Sequence, residues 1–126
     1  MSRDPKLYLS DIVEACHRVE RFASGRDDDQ IVSNEIVRDA ILYNIVVIGE
    51  AAAQLVRGGI ETLLPAIPWS RIRGMRNILA HEYFGVDRDL VLEVVRRRLP
   101  ELRQAIEAAL TDPKHWTKTP SKPSRS

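Results

Sequence analysis

Seven side chains able to take part in chemistry fall within thirteen positions: Arg71, Arg73, Arg76, Asn77, His81, Glu82 and Tyr83. Arg76 can hold a phosphate through two parallel hydrogen bonds, and its charge survives at any cellular pH. His81 can move protons near neutrality. Cleaving RNA without a metal requires a base for the 2′-OH proton, a cation for the phosphorane and an acid for the leaving oxygen. An arginine and a histidine supply the essential parts. Asn77 can orient His81 or bind substrate, and Tyr83 can stack on a base or donate a hydrogen bond.

Helical arithmetic tests whether these groups converge. At about 100° per residue, Asn77 and His81 lie about 40° apart and Arg76 and Tyr83 about 20° apart, but Arg76 and His81 differ by about 140°. Bringing all four together requires the helix to end soon after His81, which Gly85 permits, or a second copy facing the first across a dimer interface. Spacing alone also fits a simpler role, in which these side chains cap carbonyls, fill space and form an ion pair with Glu50 or Glu82.

The elements that must position the cluster read as helices. Leu9, Ile12, Cys16, Val19 and Phe22 recur at three- and four-residue steps, giving a first helix that ends near residue 23 at Ser24-Gly25. Either Ser2, with Pro5 in the first turn, or Ser10 is the expected cap. Asp27-Asp28-Asp29 reads as an acidic turn. A long second helix starts near Ser33-Asn34-Glu35, without a capping box from Ser33, and stops at Gly58-Gly59. Ile60 to Leu64 suits one helical turn. Trp69, Ile72, Met75, Leu79 and Ala80 form the stripe of a third major helix, beginning at Pro68 and ending between His81 and Phe84. A fourth follows Asp87 through Leu90, Val94, Leu99, Leu102, Ile106 and Leu110, with Pro100 forcing a kink or a restart. No strand pattern competes. The expected class is all-α, an up-and-down bundle of four to five helices over residues 1–110, followed by a Pro-, Lys- and Ser-rich flexible tail over 111–126. Trp116 in that tail is a candidate anchor without an assigned role.

Composition agrees. The 126 residues are 44% hydrophobic and 29% charged but only 6% aromatic, which suits amphipathic helices in one domain. Net charge is +1, so bulk electrostatics does not announce a nucleic-acid binder. Residues 1–60 nevertheless carry seven Lys/Arg against ten Asp/Glu, and residues 61–126 carry twelve against eight, so the cluster lies in the basic half. The single cysteine, Cys16, is expected to be a small buried hydrophobe. His17, His81 and His115 are far apart in sequence and no zinc-type spacing occurs, so no metal and no cofactor are expected. The longest apolar runs fall short of the roughly 20 residues that span a bilayer, and no secretion signal opens the chain. A cytoplasmic location without membrane attachment is the expectation.

The stretch Arg76-Asn77-Ile78-Leu79-Ala80-His81-Glu82-Tyr83 resembles the Arg-x4-His-x-Tyr motif of the HEPN-domain ribonuclease toxins, specifically the HepT-like family. Asp39-Ala40-Ile41, Ile48-Gly49-Glu50-Ala51, Ile67-Pro68-Trp69, Gly74-Met75-Arg76-Asn77 and His81-Glu82-Tyr83-Phe84-Gly85-Val86-Asp87 resemble that family's blocks in the same order. The similarity covers roughly residues 5–110. It implies a HEPN-like helical bundle that forms a homodimer, with the motifs of two chains meeting in one cleft. It further implies a metal-independent RNA endonuclease with RNA as substrate, the toxin of a toxin–antitoxin system whose antitoxin is a MntA-like nucleotidyltransferase. Under that resemblance Arg76 and His81 are catalytic and Asn77 supports them. Tyr83 is the target of antitoxin-catalysed AMP transfer (AMPylation), and Arg73 and Glu50 are candidate substrate contacts. The alternative is a noncatalytic helical module that binds nucleotide, RNA or a nucleotidyltransferase partner.

Overall fold

A computed structural model of the chain describes residues 3–77 and 88–116. The first helix, α1 (Pro5–Ala23), is capped by Asp4, whose carboxylate accepts from the Lys6 N–H at 2.9 Å. Ser10, one of the two expected caps, lies inside the helix, and Ser2 lies outside the described residues. Aspartate caps as well as serine, and Pro5 at the first helical position needs no N–H partner. Gly25 then turns the chain at a φ of 74°.

Asp27 to Gln30 corrects the expectation of an acidic turn. Asp27 accepts from the Gln30 N–H while the Gln30 side chain accepts from the Asp27 N–H, each at 2.9 Å, forming a reciprocal capping box. The box starts a short helix, α2 (Asp28–Val32), which tucks Ile31 and Val32 into the core. Asn34 caps α3 (Glu35–Arg57) by accepting from the Val37 N–H at 3.1 Å. Gly58 and Gly59 end α3, Gly59 with a φ of 90°, and α4 (Ile60–Leu63) is the single turn expected after them.

α3 is the central element, packing on α1, α2 and the segment after Pro68. It is also the described helix long and apolar enough, by length and composition, to cross a bilayer, yet 56% of its apolar window is buried inside the protein. That burial explains its composition as a core helix. Leu9, Ile12, Val19, Ile41, Ile45, Ile48, Ile72, Leu99 and Ile106 are fully or almost fully buried. Each such side chain contributes about 1.5–3 kcal/mol relative to exposure. Cys16 is buried among them, as expected.

The buried Trp69 donates its indole N–H to the Leu64 carbonyl at 2.9 Å and so fixes the start of α5 (Trp69–Arg73). The expected long third helix is then interrupted, because Gly74–Arg76 tighten into a 3-10 turn. Gly74 has little intrinsic preference for an α-helix, and three-residue steps suit the tighter winding equally well. Leu79, Ala80 and the end expected between His81 and Phe84 lie outside the described residues.

The last rod is α6 (Arg88–Glu93), a wide π turn over Val94–Arg98, and α7 (Leu99–Thr111). Within the turn the Leu99 N–H reaches the Val94 carbonyl, five residues back. Pro100, which lacks an N–H, follows at the start of α7, so the disturbance expected from it is a wide turn. Arg103 on α7 ties this rod to α1 through Glu20 at 2.6 Å, and also bonds Glu107 at 2.9 Å. Beyond α7, Trp116 docks on the body and donates to the Ala109 carbonyl at 2.9 Å. The architecture is all-α, a bundle of helical rods with no strand among the described residues.

Candidate active site

Arg76 closes the 3-10 turn, and its position is fixed by backbone packing. A Cβ placed on Gly49 would meet the Arg76 nitrogen at 3.1 Å, the Arg76 Cβ at 3.2 Å and the Arg73 carbonyl at 3.4 Å. Only a glycine lets α3 and the turn approach this closely without displacement. One residue further along α3, the Glu50 carboxylate accepts from the Arg76 guanidinium at 3.2 Å. This is one of the two ion pairs weighed from the sequence.

The pair is open to solvent, with the Arg76 side chain 40% and the Glu50 side chain 58% exposed. Such a pair is worth about 0–1 kcal/mol. A phosphate offering two charge-assisted bonds competes with it readily. Arg73 is exposed one turn earlier and makes no ion pair among the described residues. Asn77 is exposed too, and its backbone N–H donates to the Gly74 and Met75 carbonyls to end the turn.

The structure therefore brings Arg73, Arg76, Asn77 and Glu50 to one exposed edge where α3 meets the 3-10 turn. His81, Glu82 and Tyr83 lie outside the described residues. Among the described residues no group of three or more His, Cys, Asp or Glu side chains is arranged to hold a metal ion. Gly49 is the site residue to which the sequence assigned no role, although a glycine inside an apolar helical run signals close approach of another backbone.

Among the described residues the chain is a small all-α domain with an exposed arginine held at a helix junction. The sequence model described as Ribonuclease HepT-like matches residues 12–109. A candidate RNase of Methanocaldococcus jannaschii is 32% identical over 105 residues, covering 83% of this chain and 95% of that one. The probable ribonuclease HepT of Thermococcus cleftensis is 32% identical over 107 residues, covering 85% of this chain and 96% of that one. A second protein of Methanocaldococcus jannaschii, named as a gamma-glutamylcyclotransferase and candidate RNase, is 35% identical over 106 residues. The match covers 84% of this chain but only 47% of that longer protein. No solved structure matches the chain. The chain belongs to the HepT-like ribonuclease family, and its enzyme class is that of a ribonuclease.

Proposed function

We propose that this chain is the toxin of a toxin–antitoxin pair, a metal-independent RNA endonuclease that acts as a cytoplasmic homodimer. The observation that carries this reading is Arg76, fixed through its backbone against Gly49 while its guanidinium has, among the described residues, a half-exposed carboxylate as partner. The fold thus holds the backbone of Arg76, and in this reading its guanidinium exchanges Glu50 for an RNA phosphate.

In the proposed reaction a base removes the 2′-OH proton, the 2′ oxygen attacks phosphorus, and the 5′ oxygen leaves with a proton. Arg76 stabilises the charge that develops on the phosphorane. His81 moves the protons, with the second copy of the chain supplying the other half of the cleft. Asn77 supports the pair, and Arg73 adds a contact to a neighbouring phosphate. Glu50 holds Arg76 when RNA is absent.

Control falls to a MntA-like nucleotidyltransferase antitoxin that transfers AMP to Tyr83. The product places bulk and negative phosphate where RNA phosphate belongs. Cleavage of total RNA in the presence of EDTA tests the enzyme reading. Wild type should cut, whereas Arg76→Ala and His81→Ala should not while retaining their helicity. Cutting by both variants would overturn the assignment. For the control step, co-expression with the antitoxin should add AMP-sized mass that vanishes in Tyr83→Phe.

A further inference from the structure

A concavity away from Arg76 and Glu50 lies against residues 63–75. It is a half-open cleft of about 480 Å³ between residues 63–75 and the last rod, with neither Arg76 nor Glu50 in its lining. Leu64, Ile67, Ile72, Met75 and Leu102 form its buried apolar walls. Ala105 and Ala108 face it from α7 with side chains too short to fill it. The volume falls within the range of about 300–1,000 Å³ typical of small-molecule sites, and an apolar interior with a few charged groups is their usual chemistry.

The charged groups in the lining are not equivalent. Arg97 is paired with Glu93 and Glu101, and Arg98 with Glu93. At another edge Asp112 pairs with His115 and Lys114. Arg71 also lines the cavity, is exposed, and makes no ion pair or side-chain hydrogen bond among the described residues. A single unpaired guanidinium beside an apolar hollow complements a single anionic group on an apolar body.

The geometry points to a binding site for a small amphipathic monoanion, a chain or ring system carrying one carboxylate or sulfonate, with Arg71 holding the head group and α7 covering the body. Binding of 1-anilinonaphthalene-8-sulfonate, followed by its fluorescence and displaced by decanoate, tests the site on the full chain. Wild type should bind one equivalent and release it to decanoate. Ala105→Phe fills the hollow and should abolish binding of the dye, of decanoate and of neutral decanol. Arg71→Ala should weaken decanoate by about tenfold or more and leave decanol unchanged, the signature of a lost charge contact. Near-ultraviolet circular dichroism on each variant separates loss of the site from loss of the fold. Absence of binding to wild type, or wild-type affinity for all three probes in folded Ala105→Phe, would overturn the inference. Equal weakening of decanoate and decanol by Arg71→Ala would overturn the role of Arg71.

Discussion

Gly49 packs against Arg76 so closely that a Cβ on Gly49 would lie 3.1 Å from the Arg76 nitrogen, and an added methyl group fits only if the turn yields by a few tenths of an ångström. Alanine at this position would raise the intrinsic helix preference of α3 by about 1 kcal/mol. It would also overpack a contact with rigid backbone, at a cost of about 1–3 kcal/mol. The two effects oppose each other in stability but not in function. Gly49→Ala is expected to keep its melting temperature within a few degrees of wild type while kcat/KM for a fluorogenic RNA falls about tenfold or more, because small displacements of a catalytic group are costly. Wild-type cleavage by this variant would show that the close approach does not position Arg76.

Glu50 contributes little to stability through its exposed pair, yet it places a negative charge against the group assigned to RNA phosphate. Glu50→Gln should therefore leave thermal stability within about 0.5 kcal/mol of wild type. The same change should tighten RNA several-fold at low salt, with the gain shrinking as salt rises. Weaker binding measured by fluorescence anisotropy would mean that the carboxylate orients Arg76 toward substrate.

Inside α3, Asn44 is 4% exposed and donates to the Ala40 carbonyl at 2.9 Å, while its own carbonyl oxygen has no partner among the described residues. An unsatisfied buried acceptor costs about 1–3 kcal/mol. Asn44→Leu has similar shape and removes the orphan together with one hydrogen bond. It should raise stability by about 1 kcal/mol, seen as a melting temperature higher by roughly 3–6 °C. A fall in melting temperature would show that the amide hydrogen bond outweighs the orphan.

Burial pushes the Cys16 thiol up from its ordinary 9.0 to about 12, with Glu20 adding to the effect. Below pH 9 the thiol is protonated in both folded and unfolded chains, so its contribution to stability is intact. Between pH 9 and 12 the unfolded thiol ionises and the folded one does not. Stability should then fall by about 1.4 kcal/mol per pH unit from this group alone. Urea denaturation across that range should show this slope in wild type and its absence in Cys16→Ala. At pH 8 the native thiol should resist a disulfide exchange reagent that labels it rapidly in urea.

Amphipathic spacing made α1, α3 and α7 legible, since Leu9, Ile12, Val19, Ile45, Ile48, Leu102 and Ile106 mark faces buried where the period places them. The 3-10 turn was not legible because Trp69, Ile72 and Met75 recur at three-residue steps that fit both windings. The capping box was hidden by its setting, an aspartate run that reads equally well as a solvated turn. Of the site, the Arg76–Glu50 pair was one of two readable options. The Gly49 contact was not, because it depends on how two segments more than twenty residues apart pack in space.

The wide turn at Val94–Arg98 carries one residue more than an α-helix uses for the same advance. It acts as a local store of chain length. A one-residue deletion inside it can be absorbed by winding back to α-helix, leaving Leu99, Leu102 and Ile106 facing the core. The same deletion in the middle of α3 would rotate everything after it by about 100° and turn the buried stripe toward solvent. These two rods of the bundle therefore differ in how they tolerate a change of length, and that difference rests on five residues ahead of a proline.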